Sequence, residues 1–242
     1  MRIDDANKWK RRAESLIKKF EREYSSTYVK QERKYFALFE IGCFLTLLDA
    51  YRKNGFLIKT KNLNDDGNYR YLTTPSGNPD NFSYILLSKN SVKYQLRQQV
   101  RIAVSKDKRI YFTPDIVVIQ GNPKISHKKD DLYANGKRSF FYVTSKNVIA
   151  AHECKCLEPF PELFASFIGM YTLAHDWRSK KVQKKIVEKG HLAPSLFVGG
   201  KARGFHLEMI AAYEKHFHIN IITNLHSGFE TLKDRKFIEI EL

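Results

Sequence analysis

Two short fragments carry side chains that do not suit their surroundings. In Thr113-Pro114-Asp115-Ile116-Val117-Val118-Ile119 a carboxylate follows a proline at the entry to an apolar run. In Ala150-Ala151-His152-Glu153-Cys154-Lys155-Cys156 an acid and an amine stand two positions apart in a second such run. Side chains two apart on a strand share a face, and an apolar strand gains nothing by burying either charge unpaired. A hard cation supplies a reason. Magnesium prefers oxygen ligands and keeps several waters, so one or two carboxylates suffice to hold it. Asp115 and Glu153 on neighbouring strands, with the peptide carbonyl of Cys154 as a further ligand, would bind magnesium, with manganese as a substitute. Such an ion acidifies a bound water and polarises a phosphate ester. Lys155 would orient that water or neutralise charge building on the phosphate. Taken singly, Asp115 reads as a strand-entry residue, and Glu153 and Lys155 as an exposed salt bridge. Taken together and in this order, they point to chemistry.

The elements that must position these residues are readable from periodicity. Trp9, Ala13, Leu16, Phe20 and Tyr24 recur on one face of a helix over 4–24. A second helix over 30–53 is apolar on most of its circumference, with Phe36, Leu38, Phe39, Ile41, Phe44 and Leu48 among its residues, and so should be buried. Asn54-Gly55 ends it. Glu40 lies on this helix among Phe36, Ala37, Cys43 and Phe44, where a carboxylate needs a metal, an ion pair or a hydrogen bond. Short strands are expected at 56–59, 69–73 and 84–87. A longer one over 92–104 alternates cleanly, with Val92, Tyr94, Leu96, Val100, Ile102 and Val104 on the core face. Its other face carries Lys93, Arg97 and Arg101, a candidate nucleic-acid track or plain solvated surface.

Further strands are expected at 109–120, 140–144, 148–156, 194–198 and 218–223. The segment 121–139 reads as a polar insertion, and 145–147 as the turn of a hairpin between 140–144 and 148–156. Helices are expected at 162–177 and 205–217, with a basic stretch at 178–189. The whole reads as a mixed α/β sheet covered by helices. The domain reading is a helical extension over 1–29 followed by one domain over 30–242.

Lys and Arg number 42 against 26 Asp and Glu, a formal net charge of +16, which draws polyanions and above all nucleic acid. Three cysteines form no disulfide framework. The opening residues are polar and resemble no signal peptide, so a cytoplasmic chain without membrane partners is expected. Cys154 and Cys156 are spaced too closely for a usual zinc pair and suit core packing. His152 points away from the acid face. Gly199-Gly200-Lys201 lacks the spacing of a phosphate loop. Tyr171 and His175 share a helical face that could approach the site, but a packing aromatic and a helix-end histidine explain them better.

Pro114-Asp115 followed by Glu153-x-Lys155 resembles the PD-(D/E)xK nuclease superfamily, the restriction endonuclease-like proteins. The resemblance covers roughly 30–198. It implies an αβββαβ core with the Asp on the second core strand and the acid-x-Lys pair on the third. Often a Glu stands on the preceding helix, here Glu40, with Glu32 as the alternative. It also implies a magnesium-dependent deoxyribonuclease, with roles such as restriction, anti-phage defence or mobile-element movement. The implied partners are DNA, a helicase, ATPase or other subunit of a larger system, and a second copy of the chain. The long stretch between Asp115 and Glu153 requires the 121–139 insertion, which costs little loop-closure entropy. An RNA-cleaving enzyme and a non-cleaving nucleic-acid-binding or assembly subunit are the alternatives.

Overall fold

The computed structural model describes residues 3–28, 35–74, 77–129, 139–174, 188–228, 232 and 235–240. The chain opens with helix α1 (Ile3–Glu23), a two-residue strand β1 (Thr27–Tyr28) and helix α2 (Tyr35–Lys53). Trp9 and Phe20 on α1 are buried in the main core with Phe39, Phe44 and Leu48 of α2. The helices approach closely at Gly42, where an added Cβ would stand 2.6 Å from the Trp9 ring. The 1–29 extension therefore brings side chains to the core of the following domain. α2 is apolar nearly all round because α1 covers one side of it and the sheet the other. Gly55, at φ +81°, turns the chain out of α2 in the left-handed conformation that glycine adopts without strain. Phe36 departs from expectation: it is 65% exposed at the start of α2.

Strands β2 (Leu57–Lys61), β3 (Tyr69–Arg70), β4 (Tyr84–Lys89) and β5 (Val92–Gln98) follow. The expected strand over 92–104 is broken. Gln99 adopts φ +54°, and the chain leaves the sheet there to form β6 (Ile102–Ala103) in a second, smaller sheet. The expected strand over 109–120 likewise splits into β7 (Tyr111–Phe112) in the small sheet and β8 (Ile116–Gln120) in the large one. Thr113-Pro114-Asp115 makes the crossing. The described part of the polar insertion holds a strand, β9 (Ser126–Lys129), which pairs with β10 (Ser139–Thr144). β11 (Val148–Lys155) returns to the large sheet. The expected hairpin between 140–144 and 148–156 is therefore absent: β10 pairs with β6 and β9, whereas β11 pairs with β8 and β13. The turn at Ser145–Asn147 passes the chain between sheets, tied by the Ser105 N–H donating to the buried Ser145 hydroxyl at 2.9 Å.

After β11 come α3 (Pro161–Ala174), β12 (Glu188–Leu192), β13 (Ser195–Val198), α4 (Phe205–His216), β14 (Asn220–Ile222) and β15 (Phe237–Ile240). β12 and β15, neither expected from the sequence, pair antiparallel. Most of the basic stretch at 178–189, His175 and Glu32 lie outside the described residues.

The large sheet has seven strands in the order β14-β13-β11-β8-β5-β4-β2. It is antiparallel from β2 to β11 and parallel from β11 to β14. The two-residue period sorts its side chains. Ile116, Val118, Ala150, Cys154 and Phe197 face α2 in the main core. Val117, Ile119 and Ala151 pack in a second cluster with Ile102 and Val143 of the small sheet. Leu196, Val198 and Ile221 pack on Phe164, Phe167 and Ile210 of α3 and α4. The fold is thus a mixed α/β sheet flanked by helices.

Candidate active site

The break at Gln99 and the crossing at Asp115 occur side by side. The Gln99 N–H donates to the Asp115 backbone carbonyl at 3.1 Å, closing the end of the β5/β8 pair. In the β8/β11 ladder His152 stands opposite Ile116, which sets Asp115 beside Glu153 and Cys154. Asp115 Oδ2 accepts the Cys154 N–H at 2.7 Å and lies 3.4 Å from Lys155 Nζ. Lys155 Nζ also pairs with Glu153 Oε2 at 2.7 Å. Glu40 arrives from α2, and the Gln99 amide donates to both Asp115 Oδ1 at 3.0 Å and Glu40 Oε2 at 3.4 Å. Three carboxylates, an ammonium and an amide from four elements of the chain meet at one end of the central strands.

Burial gives these groups unusual acidity. Desolvation first, then the neighbouring Asp115 charge, pushes Glu40 up to about 8. The same causes in the same order raise Glu153, which Lys155 only partly offsets. Burial works against the Lys155 charge, but Glu153 and Asp115 outweigh it and hold its pKa above the ordinary lysine value. Mutual repulsion of clustered, half-desolvated carboxylates is the arrangement that a cation relieves. Among the described residues, no three His, Cys, Asp or Glu side chains form a complete cation cage. The acids are drawn instead toward the Gln99 amide and the Lys155 ammonium.

Cys154 divides two environments. Its thiol is buried in the main core, hydrogen-bonded to Cys43, and burial raises both thiols well into the protonated range. Only its backbone faces the site, where the N–H is already given to Asp115. Cys156 Sγ lies 3.4 Å from His226 Nε2. Gly199 and Gly200 clamp the end of β11, donating to the carbonyls of Lys155 and Leu157 at 2.9 Å each. A Cβ at Gly199 would fall 2.1 Å from the His226 ring, and one at Gly200 would fall 2.4 Å from the Glu158 carboxylate. The glycine pair, unremarkable as a phosphate motif, is required for this close approach. Tyr171 is buried with Phe164 and Phe167, so packing accounts for it.

The expected cationic track is not a single face. Arg97 is only 4% exposed. Its guanidinium donates to the Pro79 carbonyl at 2.6 Å and Gln95 Oε1 at 2.7 Å, pairs with Asp80 at 3.3 Å and stacks 4.0 Å from the Tyr84 ring centroid. The segment Pro79–Asn81 folds over that part of β5 and converts the arginine into a structural group. Lys93 is exposed on β5. Arg101 lies beyond the break, over the Phe140 ring of the small sheet at 3.6 Å.

Gln99 is the site residue that sequence reasoning missed. An amide at a polar position of an alternating strand looks like its neighbours Gln95 and Gln98. Only the left-handed backbone, which costs a non-glycine residue about 1–2 kcal/mol, sets it apart. Such strain gathers at functional sites. Compared with protein-family models, curated proteins and solved structures, the chain matches none.

Proposed function

We propose that the chain is a magnesium-dependent nuclease that hydrolyses phosphodiester bonds of DNA at Asp115, Glu153, Lys155 and Glu40. The observation that carries this reading is the convergence of Glu40, Asp115 and Glu153 around Lys155 at the ends of adjacent strands. Further support comes from the element order. Taken in chain order, with further strands between them, α2, β5, β8, β11, α3 and β13 run helix, three strands, helix, strand, the succession that the PD-(D/E)xK resemblance implies. Asp115 enters the second of these strands and Glu153-x-Lys155 lies on the third. The net charge of +16 suits a polyanionic substrate.

The donor set fits magnesium: hard carboxylate oxygens, partly buried and short of counter-charge. Asp115, Glu153 and Glu40, with the Cys154 carbonyl, would hold the ion. Bound there, it supplies an acidified water and charge neutralisation at the phosphate. The chain does the rest. Lys155 keeps its proton, held by Glu153 and Asp115, and presents a fixed positive charge toward the oxygens on which negative charge grows. Asp115, pinned by the Cys154 N–H and the Gln99 amide, keeps one orientation. Gln99 ties Glu40 to the strands.

The test is plasmid cleavage. Magnesium or manganese should support nicking, chelator should abolish it, and calcium should permit binding with little cutting. Robust cleavage in chelator would overturn the metal-dependent mechanism. Binding that never relaxes the plasmid in either metal would make the chain a binding subunit.

A further inference from the structure

The small sheet has the strand order β7-β6-β10-β9 and is fused to the site at three points. β6 follows Gln99, β7 leads into Asp115, and β10 leads into β11. Its two faces differ. Ile102, Phe112 and Val143 pack inward on the central strands. On the other face, residue pairing brings Tyr111 opposite Ala103 and Phe140 opposite Lys128, with Tyr142 two positions along β10. Arg101 shares that face by alternation and stacks on Phe140. Tyr111 meets Phe140 and Tyr142 at ring centroid distances of 4.7 and 5.5 Å. All three rings are only half-buried, and Lys128 is exposed. Ala103, the small residue between them, is fully covered.

A face of half-exposed aromatic rings would ordinarily be covered or made polar. Here it carries cations: Arg101 stacks on Phe140, and the exposed Lys128 stands opposite Phe140 on β9. Aromatic rings interleaved with cations on a sheet face suit unpaired nucleotides, whose bases stack on the rings while the cations follow the phosphates. Duplex DNA keeps its bases stacked on one another and offers such rings little. We infer that this face, with Tyr111, Phe140 and Tyr142 as stacking rings and Arg101 and Lys128 as phosphate contacts, binds single-stranded DNA and leads it to the adjoining site. The inference rests on the nuclease reading for its purpose but not for its test.

The test is equilibrium binding in chelator, where no cleavage occurs. The probes are a fluorescein-labelled dT oligonucleotide, a duplex of the same length and a rU oligonucleotide, read by anisotropy. A dT strand carrying 2-aminopurine reports stacking by quenching. Tyr111→Leu and Tyr142→Leu keep apolar volume and remove the aromatic face. Each should weaken single-strand binding about tenfold, the scale of one base–aromatic stack, and lose quenching, with duplex affinity within about twofold. Lys128→Glu should weaken both probes and flatten the salt dependence. Wild-type affinity in both leucine variants, at unchanged Tm, overturns the inference, as does a wild type that does not bind the single strand. Tighter binding of rU than dT overturns the assignment to DNA. A dimer that either leucine variant makes monomeric, with oligonucleotide affinity unchanged, gives the face to a second copy instead. Cleavage in magnesium is scored separately, so a bound but uncut strand counts against the nuclease reading alone.

Discussion

β11 carries polar groups in two directions, and the two clusters obey opposite rules. On one side Glu153 and Lys155 join Asp115 and Glu40, three acids share one ammonium and the Gln99 amide, and burial raises the pKa of Glu40 and Glu153. On the other side His152 is fully buried, with neither ring nitrogen bonded among the described residues. Nearby His191 bonds through Nδ1 to the Tyr51 hydroxyl at 3.0 Å, with its Nε2 unbonded among the described residues. Burial holds both imidazoles neutral, their pKa values pushed down to about 3, with His152 adding to the effect on His191. Polar burial alone therefore makes an inert core. Burial of like charges beside a cation makes a group of residues with chemistry left to do.

The sharpest way to break this contrast is Lys155→Ala. The contrast requires loss of about 10²–10³-fold in cleavage rate, with a lower Tm because two partly buried carboxylates lose their counter-ion. Wild-type rates would remove the site from the acid side of β11. Arg97→Ala asks whether paired burial by itself makes a site. Its partners are structural, so stability should fall by about 3 kcal/mol in denaturant melts. Oligonucleotide affinity, measured where the variant is folded, should stay at the wild-type value. A selective loss of binding would return Arg97 to the substrate track.

The histidine side is tested by pH. Folded pKa values lie below the unfolded value near 6.5, so the stability from neutral imidazoles is full above that value. It falls as pH drops toward 3 because the unfolded chain takes up the protons. Between pH 6.5 and 5 each histidine should cost about 2 kcal/mol. Glu40 and Glu153, raised in the folded chain, contribute slopes of the opposite sign in that window. His152→Leu should therefore lower the slope of stability against pH by one histidine's share relative to wild type, leaving cleavage at pH 7.5 unchanged. A slope equal to wild type would mean that His152 is protonated or solvated in the folded chain. Lys93→Glu is the smallest change. Exposed on β5 and remote from both clusters, it should shift stability by no more than about 0.5 kcal/mol.

The legible parts of this molecule were those where a residue type disagreed with its local pattern. Asp115, Glu153 and Lys155 are ionic groups on apolar strands, and Glu40 is an acid on an apolar helix. Each disagreement is visible within a few positions, and the fold does bring the four together. Gln99 disagrees with nothing nearby, and its role comes from a backbone turn that no local pattern encodes. The burial of Arg97 has no local signal because the cover over it comes from Pro79–Asn81, distant in sequence and close only after β4 and β5 pair. The turn at 145–147 is legible from its residues. Turn chemistry does not say whether the flanking strands pair with each other, and here each pairs elsewhere. β12 and β15 are polar or short, and their pairing joins Glu188–Leu192 to Phe237–Ile240, segments distant in sequence.

The break at Gln99 also bears on how the chain reaches its native state. Positions 40, 99, 115 and 155 sit far apart in sequence, and Gln99 bonds to two of the other three. Contacts of such separation close late and slowly, after local helices and hairpins have formed. The β2–β4–β5 meander can assemble from nearby residues alone. The amide bridge must wait until β8 has crossed from the small sheet and α2 has docked. A nascent or partly unfolded chain would therefore expose its basic surface long before it could assemble the acids, binding polyanions at a stage when the residues proposed to cut them are still dispersed.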